Sequence, residues 1–202
     1  MKRIFALVTL ASALVLTGCS QVGSAATIGS TKISQSTVQK SIDAALAARG
    51  KVDTSGMQLE TGAAFNRSQV RFHVVTVLLS AVSADLKVSV TKAEIDARRN
   101  TILSSLGGEA NLPKALVGAS IAPGDFDQYI QLIIMSEKLT SAAVAGGVAE
   151  ASAGAEIQKL IIAKAAALKV VINPRYGSWD ATAGDIVASD AASPAVSPSS
   201  TK

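Results

Sequence analysis

Cys19 is the one cysteine in 202 residues, and it closes the tetrapeptide Leu16-Thr17-Gly18-Cys19. A cysteine in that pattern is the residue before which a bacterial lipoprotein is cut and on which it is acylated. The segment before it supports the same chemistry, because Lys2 and Arg3 precede an apolar run from Ile4 to Leu16. Such a run of about thirteen residues is too short to cross a bilayer core of ~30 Å and has the length of a secretory leader. The expectation is a signal peptide over residues 1–18, a lipid-bearing Cys19, a spacer over 19–24 and an extracytoplasmic location at the cell membrane. No second cysteine exists for a disulfide within the chain.

The other residue types that could do chemistry are too few or too poorly spaced. His73 is the single histidine, so no multi-histidine metal site is available. It falls with Thr76, Ser80, Ser83 and Lys87 on one polar stripe of an apolar helical segment, which predicts a solvated surface imidazole. Glu94 with Asp96, and Asp125 with Asp127, stand two apart and cannot converge on one substrate from a helix. Their placement in first helical turns is explained by capping and the macrodipole. GxSxG, GxxxxGK and GxGxxG motifs are absent, and the pairs Gly107-Gly108 and Gly146-Gly147 stand where helices stop. No metal, cofactor or catalytic residue is expected. Removing Lys2 and Arg3 lowers the formal charge from +4 to +2, and aromatics make up only 3% of the chain. Nucleic acid, which calls for clustered cations and stacking rings, is therefore not an expected partner.

The elements around these residues read as mainly α. A short strand near Ala26–Ile33 precedes a helix opened by a Ser36/Gln39 capping box and carrying Val38, Ile42 and Leu46. The stretch from Phe65 to Lys87 is apolar on two flanks and reads as the central helix. Thr91 and Glu94 form a second capping box, and a short helix or turn covers Asn111–Val117. Pro123 and Asp125 start a long helix with one face of Phe126, Tyr129, Ile130 and Ile133 and a second of Leu132, Met135 and Leu139. An alanine-rich helix over about 148–169 leads into the strand Val170–Ile172. Residues 25–182 are expected to form one domain, and 183–202, rich in Ala, Ser, Pro and Asp, a disordered tail.

The order short strand, Ile33-Ser34 helix start, long apolar helix, Val90-Thr91-Lys92-Ala93-Glu94 and the PxDFxxYI pattern at Pro123–Ile130 resembles the N-terminal chaperone domain of SurA and PrsA-like foldases. The closing Asn173-Pro174-Arg175-Tyr176-Gly177-Ser178-Trp179-Asp180 is similar to the ending of actinobacterial lipoproteins of that family. The resemblance covers about residues 25–180 and implies a helical body with a small sheet in which Thr27-Ile28 meets Val170–Ile172. It implies Asn173, Pro174, Tyr176 and Trp179 as a structural terminal motif. The parvulin domain of longer members is missing between the PxDF helix and the last helix, and so are its paired histidines, so prolyl isomerase activity is not implied. What the likeness implies is a holdase that works without ATP on unfolded secreted polypeptides. Leu132, Met135 and Leu139, a second apolar face on a helix already provided with one, are the candidate client-binding face, with an adaptable thioether among them; packing of that face on the alanine-rich final helix is the alternative. An envelope scaffold that docks one folded partner is the alternative.

Overall fold

The computed structural model describes residues 23–189, so Cys19, the leader before it and residues 190–202 lie outside the described part. Six helices and five short strands make up the described residues. Strands β1 (Ser24–Ile28) and β2 (Thr31–Ser34) form a hairpin, and β3 (Val171–Ile172) adds on the other side of β1, giving the order β2-β1-β3, all antiparallel. Between them run α1 (Gln35–Arg49), α2 (Gly62–Asp85), α3 (Lys92–Ser105), α4 (Leu112–Gly118), α5 (Phe126–Ala145) and α6 (Glu150–Leu168). A mainly helical body with a small sheet built from the two ends of the fold is thus the architecture.

The pairing of the ends is specific. Ala26 lies opposite Ile172 and Thr27 opposite Val171. Directly opposed residues share a face, so Ala26, Ile33 and Ile172 form a buried inner row while Thr27, Lys32 and Val171 form the outer one. Two residues of strand make few ladder bonds, and Asn173 extends the grip. Its backbone N–H donates to the Ala25 carbonyl at 2.9 Å and its side-chain Nδ2 to the Ser24 carbonyl at 2.9 Å. Its own Oδ1 accepts from the Arg175 N–H, turning the chain at Pro174 so that Tyr176 enters the core.

Helix α2 is central, as its two apolar flanks predict: it packs on α1, α5, α6, β1 and the last strand. Phe65, Val70, Val74 and Leu78 join the inner sheet row and Val38, Ile42 and Ala45 of α1 in the main core. Leu79 and Val82 join a second cluster with Met135, Leu139 and Ile157. A third cluster, Leu116, Ile121, Phe126, Ile130 and Ile134, holds α4 under α5. Each large apolar side chain buried here contributes about 1.5–3 kcal/mol.

The Thr91/Glu94 box forms as expected, with the Thr91 hydroxyl taking the Glu94 N–H and the Glu94 carboxylate taking the Thr91 N–H. Lys138 and Thr91 together hold the Glu94 carboxyl down to about 2, and Lys138 bridges it to α5 at 2.5 Å. The first box is corrected. The cap of α1 is Ser34, whose Oγ accepts from the Thr37 N–H at 3.0 Å, and Gln39 instead donates to Asp43 one turn on. Ser34 prevails because β2 delivers it in extended geometry, whereas Ser36 is already helical.

The expected tail from 183 is also corrected for its first residues. Strands β4 (Ser178–Asp180) and β5 (Asp185–Val187) form a hairpin with Trp179 opposite Ile186, and Ile186 is 1% exposed in the main core. Asp180 builds the turn by accepting the Thr182 and Ala183 N–H groups, which holds its carboxyl below the usual carboxylate range. Arg71 of α2 then clamps Asp185 at 2.5 Å. The composition of this segment is that of a linker, but one isoleucine in the register of Trp179 is enough to seat it.

Gly177 admits no side chain. Its φ is +134° and a Cβ there would stand 2.2 Å from the Val187 carbonyl oxygen. Gly177→Ala is expected to destabilise the fold by about 3 kcal/mol or more through strain and loss of the hairpin. Urea unfolding followed by Trp179 fluorescence measures this, and an unchanged midpoint would contradict the close approach.

Candidate functional site

An open groove lies where α6 crosses α2 and α5, its walls formed by Val75 and Leu79 of α2, Leu132 and Ile133 of α5, and Ile157 and Ile161 of α6. It encloses about 460 Å³ and is predominantly apolar, with Ser136, Glu137, Thr140 and Gln158 along its rim. Leu132 is half-buried and lines it, as the expected client face requires. Met135 and Leu139 do not. They are 4% and 2% exposed and pack against Leu79, Val82 and Ile157, so two of the three candidate contact residues are core and cannot meet a client. The second face of α5 is taken by the α6 helix, which approaches closely because most of its residues there are small.

Gly154 sets the depth of the groove. It sits within α6, lines the hollow, and a Cβ built on it would meet nothing within 4 Å. Glycine inside a helix costs roughly 1 kcal/mol relative to alanine, and α6 uses alanine freely elsewhere. Its absent side chain leaves open space and relieves no internal contact. No spacing rule singled out this glycine; its exposure beside apolar neighbours becomes evident only when α5 and α6 are brought together.

The histidine reading is corrected. His73 is 6% exposed, and Thr76 and Ser83 of the same expected stripe are buried too, while Ser80 and Lys87 are exposed. The stripe faces α1 and the turn entering α5 for part of its length. His73 Nε2 lies 3.0 Å from the Ser41 Oγ, and that hydroxyl donates to the Asp125 carboxylate at 2.6 Å. The three residue types of a nucleophilic triad meet here, but the wiring is different. With the serine proton committed to Asp125, Nε2 must carry a proton and donate to Oγ, so no imidazole lone pair is aimed at the hydroxyl. The chain pins α1, α2 and the start of α5 together. Asp125 and its sequence neighbour in type, Asp127, indeed take separate partners, Asp127 pairing with Arg99.

Beside Asp125 is a second hollow of about 360 Å³, between the first turns of α2 and the segment joining α4 to α5, lined by polar groups including Gln58, Glu60, Ser68 and Gln69. Gln69 is buried and donates to the Ser120 carbonyl. Its lining is less suited to an apolar chain than that of the groove. Among the described residues no group of His, Cys, Asp and Glu is placed to hold a metal ion, and no single helix is long and apolar enough to cross a membrane.

In comparisons with known proteins, no family model, no curated protein and no solved structure matches this chain.

Burial lowers the His73 pKa, with Asp125 opposing in part. A histidine kept neutral in the fold binds fewer protons than in the unfolded chain, so stability present above the ordinary value of 6.5 declines as pH falls below it. Melting temperature is therefore expected to drop between neutral pH and about pH 5. His73→Gln, which can still donate to Ser41, should flatten that slope; an identical slope in the variant would remove His73 as its origin.

Proposed function

We propose that this protein is a lipid-anchored extracytoplasmic holdase that shelters apolar segments of unfolded secreted polypeptides in the groove between α2, α5 and α6, without ATP and without prolyl isomerisation. The observation that carries the reading is the groove itself: an apolar hollow left open on a body whose three core clusters are otherwise filled. An apolar stretch of client entering it would remove its side chains from water at about 25 cal/mol per Å², while the polar rim offers partners to the client backbone. The motif order that resembles the SurA N-terminal domain supports the same reading, as does the Leu16-Thr17-Gly18-Cys19 pattern for the anchor.

The groove has a direct test because Gly154 can be filled without injuring the fold. Gly154→Leu should keep or raise the melting temperature, since helix propensity improves by roughly 1 kcal/mol. The same variant should suppress aggregation of a chemically unfolded client several-fold less well than the parent chain. Suppression unchanged by a stable Gly154→Leu protein, or no suppression by the parent at several-fold excess, would overturn the proposal.

A further inference from the structure

Two segments of this chain carry charge of one sign only. Residues 23–42 and 157–179, which supply β1, β2, most of α1, most of α6, β3 and the start of the terminal hairpin, contain six cations (Lys32, Lys40, Lys159, Lys164, Lys169 and Arg175) and no Asp or Glu. The chain as a whole is +4 with Lys2 and Arg3 included, so everything outside the leader and these two segments sums to −4. Because β1 pairs with both β2 and β3, the strand ends of these two segments, far apart in sequence, bring Lys32, Lys169 and Arg175 to one small sheet.

On that end, Lys32 and Val171 flank Thr27 on the outer row of the sheet, and both are exposed. Lys169 is exposed where α6 turns into β3, held at a φ of +52°. Arg175 is exposed beside the first described residues: its guanidinium donates to Gln35, whose N–H donates to the Gly23 carbonyl. Among the described residues none of Lys32, Lys40, Lys169 and Arg175 forms a salt bridge, whereas Lys159 and Lys164 pair with Glu156 and Asp85. The sequence from this corner to Cys19 is short, since four residues from Gly23 to Cys19 span at most about 14 Å. That reach is close to one Debye length at 0.1 M salt, about 10 Å.

We infer that the outer face of the β2-β1-β3 sheet, with Lys32, Lys169 and Arg175 around Val171, is a docking surface for an anionic phospholipid membrane. The tether in this inference rests on the Cys19 anchor proposed above; the charge segregation does not. A lipid chain fixes the body to the bilayer but leaves it free to tumble. Cations on the face nearest the tether would hold that face down, each strengthening surface attachment about fivefold.

The test uses the chain from residue 19 onward with Cys19→Ser, so that no acyl chain contributes. It should co-sediment with vesicles of phosphatidylglycerol and phosphatidylcholine, release on raising salt, and ignore vesicles of phosphatidylcholine alone. Lys32→Gln combined with Lys169→Gln should weaken binding about 25-fold, while Lys92→Gln with Lys114→Gln, on α3 and α4, should change it less than about twofold. Equal losses from both pairs, binding indifferent to lipid charge, or no binding at low salt would overturn the inference. Mass spectrometry of Cys19 from cells is read separately: an unmodified thiol would refute the anchor while leaving a positive vesicle result standing for the sheet.

Discussion

Everything in this fold hangs on the antiparallel contact between β1 and β3. Ala26 and Ile172 are more than 140 residues apart in the chain, and closing so long a loop carries an entropy penalty that grows with its length. A two-residue strand cannot offset that penalty by ladder bonds alone. The offset comes from what the pairing brings with it: Ile172, Tyr176 and Ile186 enter the main core together with Val74 and Leu78 of α2, and Asn173 ties both Ser24 and Ala25. The edge strand, the turn and the terminal hairpin act as one closing unit.

Given that closure, α2 becomes the axis against which the remaining helices are placed. Its two apolar flanks are divided between cores: Val70, Val74 and Leu78 serve the sheet side, and Leu79 and Val82 serve α5 and α6. Helix α3 has no fully buried residue and is held on α5 by half-buried Ile95 and Ile102 together with Arg98–Glu137, Arg99–Asp127 and Lys138–Glu94. Exposed ion pairs contribute little individually, so α3 is the least firmly attached helix. The proposed client groove lies on the adjoining side of α5, with Glu137 at the boundary between the two, and its walls are elements anchored by apolar contact.

Long periodic segments were legible in the sequence: α2, α5 and α6 stand close to where their apolar patterns put them, and the Thr91 cap and the Gly107-Gly108 stop are where local chemistry demands. Two kinds of feature were hidden. Helices α2 and α6 end on Lys87 and Lys169 in the left-handed conformation, a position for which glycine is the usual sign. The other kind depends on a distant partner. His73 is polar in type and therefore reads as exposed, until Ser41 and Asp125 arrive from other elements to satisfy it. Met135 and Leu139 read either as a client face or as packing for the alanine-rich helix, and the local pattern cannot choose between the two until α6 is laid over them. Ile186 and Gly154 are single residues in unremarkable surroundings, and each acquires its meaning only from the tertiary contact it makes or leaves unmade.

The joint between α5 and α6 has a consequence for how such a body could be elaborated. Helix α5 closes at Gly146-Gly147, with the Val148 N–H returning to the Ala143 carbonyl, and α6 restarts after a bend of 116° with no side-chain cap. Both glycines are exposed, and no buried core residue lies between Leu139 and Ala153. A whole module spliced in at this elbow would therefore lengthen the chain while leaving the sheet, the three cores and the terminal hairpin as they are. The fold is built as a closed ring of contacts with an unencumbered port at this elbow.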